Sequence, residues 1–383
     1  MDLDLCQVYF DAILKLLDKE NRRENIKQLR IFLNRFPLTT NSSKGAKSKK
    51  GKEWRLWKIT SCYRIAYLYR NSTCISSATA LHFGDVLKQN LGIVRQMFQK
   101  SSILRICSIG GGSPSDLVAL VKILGQNLGN RMSCDIHVTI VDMDENWITT
   151  CTTVLQCLEW FRNAEWKIRF VHADVTEMNE EVKNSIKKAN IVSIVKFMSE
   201  CKGGTKKKKL DFKKNLFQKV HDLMETGSLL FLLDCPHNGL SDICGGQSGL
   251  LPDSQLLYDV NHQSHKLDKV ALQKHAKQYE KLFRSALRYN TLEVFCRAWL
   301  KAVDSPPTDG VFLKVLRDRY EGFRNCLAKI NIQSSHHRHS DDASAKGWKQ
   351  FFVAEMKNIG WNRKKIKRAL ASVEREVLQM YKK

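Results

Sequence analysis

The residues best placed to do chemistry are a glycine cluster and two carboxylates. The short apolar run Leu104–Ile109 ends in Gly110-Gly111-Gly112, followed by Ser113-Pro114-Ser115-Asp116. Glycines after a strand let the backbone turn tightly and approach a ligand without a Cβ in the way. A helix starting just beyond aims its N-terminal amides, the positive end of its dipole, at the turn. A second apolar run, Ile136–Val141, ends in Asp142-Met143-Asp144. A carboxylate at that tip can accept hydrogen bonds from both hydroxyls of a ribose. A third, Ile168–Val171, ends in His172-Ala173-Asp174-Val175, where an acidic side chain can accept a hydrogen bond from an adenine amino group. Each feature also has a plainer reading: a simple strand-to-helix turn, or a helix cap at Asp142, Asp144 or Asp174. Together they sit at the ends of three successive strands, where ligands bind in open α/β sheets.

The elements that must position these residues follow from periodicity. Helices are expected near 115–128, 145–161, 179–188 and 211–224, between strands at 104–109, 136–141, 168–171, 191–195 and 229–233. Strict alternation of strand and helix implies right-handed crossovers and a parallel sheet. The strands are almost wholly apolar, as expected when helices cover both faces. The expected class is therefore α/β, a Rossmann-like mostly parallel sheet with helices on both faces. Helical segments are expected over 3–36, from about 60 to 68, and over 78–99. Residues 238–264 read as a long loop, 265–287 as a helix and 292–299 as a strand. The expected division is a helical N-terminal extension at 1–100, the sheet domain at 101–310 and a basic, mainly helical C-terminal extension at 311–383.

On the loop Ser108–Asp116, on Asp142 and on Ala173-Asp174, the stretch 103–235 resembles the class I S-adenosylmethionine-dependent methyltransferases. That resemblance implies S-adenosylmethionine as cofactor. Ser108, Gly110, Gly111, Gly112 and Asp116 would form the loop beside its methionine part. Asp142 would hold the ribose and Asp174 the adenine amino group, with Met143 and Val175 flanking the ring. The family usually carries Asp or Glu where Ser108 stands, and a third glycine is common where Pro114 stands. Asp116 is a nearby carboxylate that could take over the missing one. After the fourth strand the chain has neither the Pro-Pro-aromatic segment of base-amine methyltransferases nor a Pro-Cys pair. Ser199, Glu200 and Asp234 are the ionisable or hydroxyl groups near the mouth, and each also reads as a cap or a solvated loop residue. No catalytic residue is assigned, since methyl transfer from a sulfonium needs positioning more than acid–base help.

Charge points to the partner. The chain has 63 Lys and Arg against 39 Asp and Glu, a net charge of +24, which favours a polyanion. Basic clusters lie at 44–58, interleaved with Trp54 and Trp57, at Lys206–Lys209, and at Arg363–Arg368. Nucleic acid, RNA before DNA, is the expected partner; a plain solvated surface or an import signal is the alternative for such clusters. His336-His337-Arg338-His339 reads as a polar loop, and no metal site is expected. The 12 cysteines include no CxxC pair, and no apolar run spans a membrane. The acidic start Met1-Asp2-Leu3-Asp4 lacks the basic region of a secretory leader, so a nuclear or cytoplasmic location is expected. The function expected is RNA methylation by direct transfer. A protein or small-molecule methyltransferase, or an inactive cofactor sensor or RNA-binding scaffold, are the alternatives.

Overall fold

A computed structural model of the chain describes residues 2–18, 22–35, 60–90, 103–128, 135–158, 166–199, 201, 206–236, 239–244, 251, 253–284 and 291–301. Met1–Ala302 form one compact unit and Val303–Lys383 a second, which lies outside the described residues. The basic cluster at 44–58, Arg363–Arg368 and the histidines at 336–339 therefore fall outside them too.

Seven strands form one sheet in the order β3-β2-β1-β4-β5-β7-β6. They are β1 (Ile103–Ile109), β2 (Asp135–Asp142), β3 (Trp166–His172), β4 (Ile191–Val195), β5 (Leu229–Asp234), β6 (Ser254–Lys266) and β7 (Thr291–Lys301). The first five run parallel, and β7 enters antiparallel between β5 and β6. The sheet is thus α/β and mostly parallel, with helices around it, as the alternating pattern predicts.

The strand residues divide between two cores. Leu104, Ile106, Ile136, Val138, Ile140, Leu229, Phe231 and Leu233 point to one face. Cys107, Ile109, Val141, Val192, Ile194, Leu230 and Leu232 point to the other. Alternate residues of one strand enter opposite cores because the pleat has period two. With both sides apolar, a strand can be solvated on neither.

The first face is covered by α1 (Asp2–Asp18), α2 (Arg22–Arg35), α3 (Ser61–Tyr67), α4 (Thr73–Gln89), α5 (Ser115–Leu128) and α6 (Trp147–Leu155). The second is covered by α7 (Glu180–Lys187), α8 (Lys206–Leu223) and the short α9 (Leu240–Ile243). α10 (Lys269–Phe283) packs Tyr279 and Phe283 on Tyr69 of the N-terminal layer. Local signals set several ends. Asn179 caps α7 by accepting from the Val182 amide at 2.9 Å. Asp268 caps α10 by accepting from Val270 at 3.0 Å. Gly84 in α4 lies against Ile123 of α5, where a Cβ would sit 3.8 Å from its nearest atom, so the two helices pack closely.

Three expectations differ from the structure. Residues 254–264 are strand, not loop, and the strand runs on through 265 and 266, where a helix is expected. β6 is an edge strand that pairs only with β7 and carries two irregularities in register. Its polar outer positions hide the alternation. The lysines at 206–209 are the first turn of α8 rather than a loop. The described part of the helix expected at 78–99 belongs to a continuous helical run from Ser61 to Gln89 that passes through a π-helical turn, Leu68–Ser72, and 91–99 lie outside the described residues. The helical segment expected over 3–36 is present as α1 and α2.

Two histidines are buried where α4 meets β6. His82 Nδ1 lies 2.9 Å from the Tyr258 hydroxyl. Ser77 donates to Asp2 at 2.6 Å, so the Nε2 hydrogen of His265, 2.9 Å away, is donated to Ser77. Burial, and next the charge of His265, pushes His82 down to about 4. The fold keeps His82 neutral, whereas the unfolded chain protonates it below its ordinary value of 6.5. Its contribution is complete above that value and is lost as pH falls toward 4. Urea unfolding followed from pH 7 to pH 4 should show a loss of about 3 kcal/mol from this residue, and His82→Gln should flatten that part of the profile.

Candidate functional site

The glycine loop and the tips of β1, β2 and β3 meet at the carboxyl edge of the sheet. Pairing of Ile109 with Val141 sets the register. The ladder then continues past the strands, with the Gly110 amide donating to Val141 O at 2.8 Å and the Ala173 amide to Asp142 O at 3.0 Å. The Asp142 carboxylate closes the next step. Its Oδ2 accepts from the Gly112 amide at 2.8 Å and its Oδ1 from the Asp144 amide at 2.9 Å. Burial pushes the Asp142 carboxyl above its ordinary range, against the pull of those two amides.

Each glycine of the loop is required by a different neighbour. Gly110 has φ +67°, and a Cβ there would lie 2.1 Å from the Phe197 ring. At Gly111 a Cβ would meet Ser108 Oγ at 2.1 Å, and at Gly112 it would meet Asp142 Oδ2 and Trp147, both at 2.6 Å. Beneath the loop, Cys151 donates its thiol hydrogen to Gly112 O at 2.9 Å. Burial raises that thiol well above its usual value, so the proton stays on sulfur.

Asp116 sits in the first turn of α5 and is 3% exposed. Ser108 donates to its Oδ2 at 2.7 Å. A carboxylate thus does lie beneath the loop, delivered by the helix rather than by the end of β1. Burial raises its pKa, opposed by the Ser193 and Ser108 hydroxyls. Its Oδ1 and the Ser193 hydroxyl nevertheless lack a partner at full hydrogen-bond geometry. Pro114 occupies the helix start: its carbonyl accepts from Val118 at 3.0 Å. Proline is tolerated there because that amide has no partner in a helix anyway.

At the second tip Met143 is 70% exposed, an apolar side chain left in water beside the Asp142 carboxylate. His172 donates from Nε2 to the Met143 carbonyl at 3.0 Å. At the third tip Asp174 is half-buried and accepts from the Thr176 amide at 2.9 Å, an Asx turn. Val175 is buried in the second core with Met178 and Val182.

The tips of β4 and β5 form a separate cluster. Asp234 is fully buried, and accepts from the Ser199 amide at 2.9 Å and from the Cys235 amide at 2.7 Å. Lys196 Nζ lies 2.6 Å from Cys235 Sγ and 3.9 Å from Asp234 Oδ1. Asp234 is therefore a brace rather than an open base. The Ser199 hydroxyl is buried without a partner, and Glu200 lies outside the described residues. Trp147, Cys151, Lys196 and Phe197 were not legible as site residues. Only the position of Lys196-Phe197 just after the fourth strand hinted at them. Among the described residues, no group of three or more His, Cys, Asp or Glu could hold a metal ion. No described helix is long and apolar enough to cross a membrane.

Removal of the Asp142 carboxylate leaves two loop amides without acceptors. Asp142→Ala should cost about 1–3 kcal/mol in urea unfolding at pH 7, and Asp142→Asn, which keeps one acceptor oxygen, should cost less.

No protein-family model matches the chain, and no curated protein matches it. Solved structures similar to it include a methyltransferase from Pyrococcus furiosus, 10% identical over 55% of this chain and 81% of that one, with a TM-score of 0.30. TrmN from Thermus thermophilus is 12% identical over 54% of this chain and 47% of its own, TM-score 0.29. The plantazolicin methyltransferase BpumL, in complex with a monoazolic desmethylPZN analog and SAH, is 13% identical over 73% and 99%, TM-score 0.34. Likeness at these values says nothing of substrate, and the fold rests on the sheet itself. A seven-stranded, mostly parallel sheet wrapped by helices fits the Rossmann-like methyltransferase fold.

Proposed function

We propose that the chain is an S-adenosylmethionine-dependent methyltransferase that acts on RNA by direct transfer to a substrate held beside the crevice. The observation that carries the cofactor reading is the Asp142 carboxylate locked to the Gly112 amide, with Met143 exposed next to it. Asp142 takes one amide on each oxygen, and each oxygen keeps a lone pair for a ribose hydroxyl. The glycine loop offers backbone free of Cβ atoms for the methionine part. Met143 offers an apolar surface to the adenine ring, and Asp174 an acceptor for its amino group. Val175 would support that wall from within the core. Ser108 and Asp116 would act from beneath, by holding the loop. When bound, the cofactor supplies a methyl group already activated on a sulfonium. The protein's task is then to hold an acceptor in line with it and to exclude water.

The RNA reading rests on charge. The net charge is +24, and four successive lysines begin α8, the helix that follows β4 in the chain. Positive charge at a helix N-terminus opposes the dipole, and a phosphate of the substrate would relieve that repulsion.

Titration calorimetry with S-adenosylhomocysteine should give micromolar binding that is abolished in Asp142→Ala and Gly110→Arg. Normal binding by Asp142→Ala would refute the site. Replacement of Lys206–Lys209 by alanine should leave that binding intact, weaken binding to cellular RNA, and make its salt dependence shallower. Transfer of labelled methyl to no cellular RNA pool would turn the reading to a protein or small-molecule acceptor.

A further inference from the structure

We propose that the N-terminal helices register the glycine loop through a relay of hydroxyl groups, making Tyr9, Ser72 and Ser76 positioning residues for the crevice. The relay is a property of the fold; its consequence for cofactor affinity rests on the function proposed above.

The relay has two branches. In the first, Ser76 donates to Ser115 O at 2.6 Å. A serine has one hydroxyl hydrogen, and this one is spent. The Tyr9 hydroxyl, 2.6 Å from Ser76 Oγ, must therefore be the donor in that pair. Tyr9 is completely buried, and burial holds its phenol well above the usual value, so the proton stays in place. In the second branch Ser72 Oγ lies 2.9 Å from Ser113 Oγ, which lies 2.7 Å from Ser115 Oγ. The two branches grip the residues on either side of Pro114, immediately after Gly112. Proline has no amide hydrogen of its own to anchor this point.

The π-helical turn brings these groups to one side. Tyr63 and Tyr67 of α3 meet Trp147 edge to face, with ring centroids 6.5 Å and 5.7 Å away. Trp147 in turn bounds Gly112. A regular helix would next present residue 71 and then 75 to that side. The π turn at Leu68–Ser72 takes up one extra residue, and the side continues with Ser72 and Ser76 instead. Tyr63, Tyr67, Ser72 and Ser76 thus form one edge, spaced by four, five and four residues, that runs along Trp147 and the loop. An ion pair holds α1 in place for Tyr9: buried Lys122 of α5 donates to Asp4 at 2.6 Å. Apolar side chains at these positions would fill the core at less desolvation cost than hydroxyls.

Fixing the loop from outside the sheet lowers the ordering that a ligand must impose, which raises affinity. The test is amide hydrogen exchange of the full chain without ligand, with calorimetric titration of S-adenosylhomocysteine alongside. Tyr9→Phe, Ser76→Ala and the milder Ser72→Ala should each speed exchange at Gly110–Ser115 by about tenfold, with β5 and β7 unchanged. Ser76→Thr, which keeps the hydroxyl, should restore the slow rate. The same variants should weaken S-adenosylhomocysteine binding by about tenfold. A uniform rise in exchange across the sheet, or loop rates equal to those of the unaltered chain, would overturn the proposal. If the unaltered chain binds no S-adenosylhomocysteine, the cofactor reading fails, and loop exchange still decides the relay.

Discussion

The candidate site turns on one side-chain contact between two strand tips: the Gly112 amide on the Asp142 carboxylate, 2.8 Å long. It joins the turn after β1 to the turn after β2, 30 residues apart in the chain. The contact is possible only because the strands pair in register up to Ile109 and Val141 and because Gly112 has no Cβ. Trp147 fills the space on the same side, so the loop is hemmed in by a charge and a ring at once. A carboxylate held by backbone amides in this way is already oriented, and under the proposed function that pre-organisation is what a ribose-binding acceptor requires.

Around that contact the protein places polar groups where an ordinary core would be apolar. Ser108, Asp116 and Ser193 lie beneath the loop, Cys151 donates to it, and Ser113 and Ser115 continue it. Buried polar groups are costly unless partnered, and most of these are. Asp116 Oδ1 and Ser193 Oγ are the exceptions. An incompletely satisfied carboxylate buried beneath the glycine loop costs free energy, and the two apolar cores on either face of the sheet supply the stability that tolerates it.

The sheet was legible because β1, β4 and β5 are packed on both faces, and a doubly buried strand must be written in apolar residues, while β2 alternates apolar buried residues with half-exposed ones. Ile191–Val195 is the plainest case. β6 was not legible for the converse reason. Its sequence, Ser254 to Lys266, reads as polar loop, since an edge strand with an exposed face owes its form to the partner β7. Residues 69–77 fall between the two helices expected on either side, although the helical run continues through them. Ser72 is buried against Ser113. In the site, Gly110, Gly112, Asp142 and Asp174 were visible as residue types at strand ends. Trp147, Cys151 and Phe197 were not, because their roles are contacts made only when separate tips converge. Asp116 was visible as a carboxylate, but its reach to Ser108 depends on where Pro114 starts the helix.

The two halves of the carboxyl edge differ in kind. The tips of β1 to β3 leave the Met143 side chain in solvent beside the Asp142 carboxylate, which under the proposed function is the surface that takes the nucleoside. The tips of β4 and β5 turn inward. Asp234 is wholly buried and spent on two amides, with the Lys196 ammonium near its charge. Lys196 itself has φ +55°, a conformation that costs a non-glycine residue about 1–2 kcal/mol. That cost is met by seating the lysine between Cys235 and Asp234 and its amide on Leu233 O. It also swings Phe197 back across Gly110. The bent backbone after β4 therefore forms one wall of the glycine loop, and any acceptor approaching from the β4 side must do so past Phe197. Under the proposed function, selectivity for the acceptor resides in that wall and in what α8 brings beside it, while the cofactor side is set by the sheet.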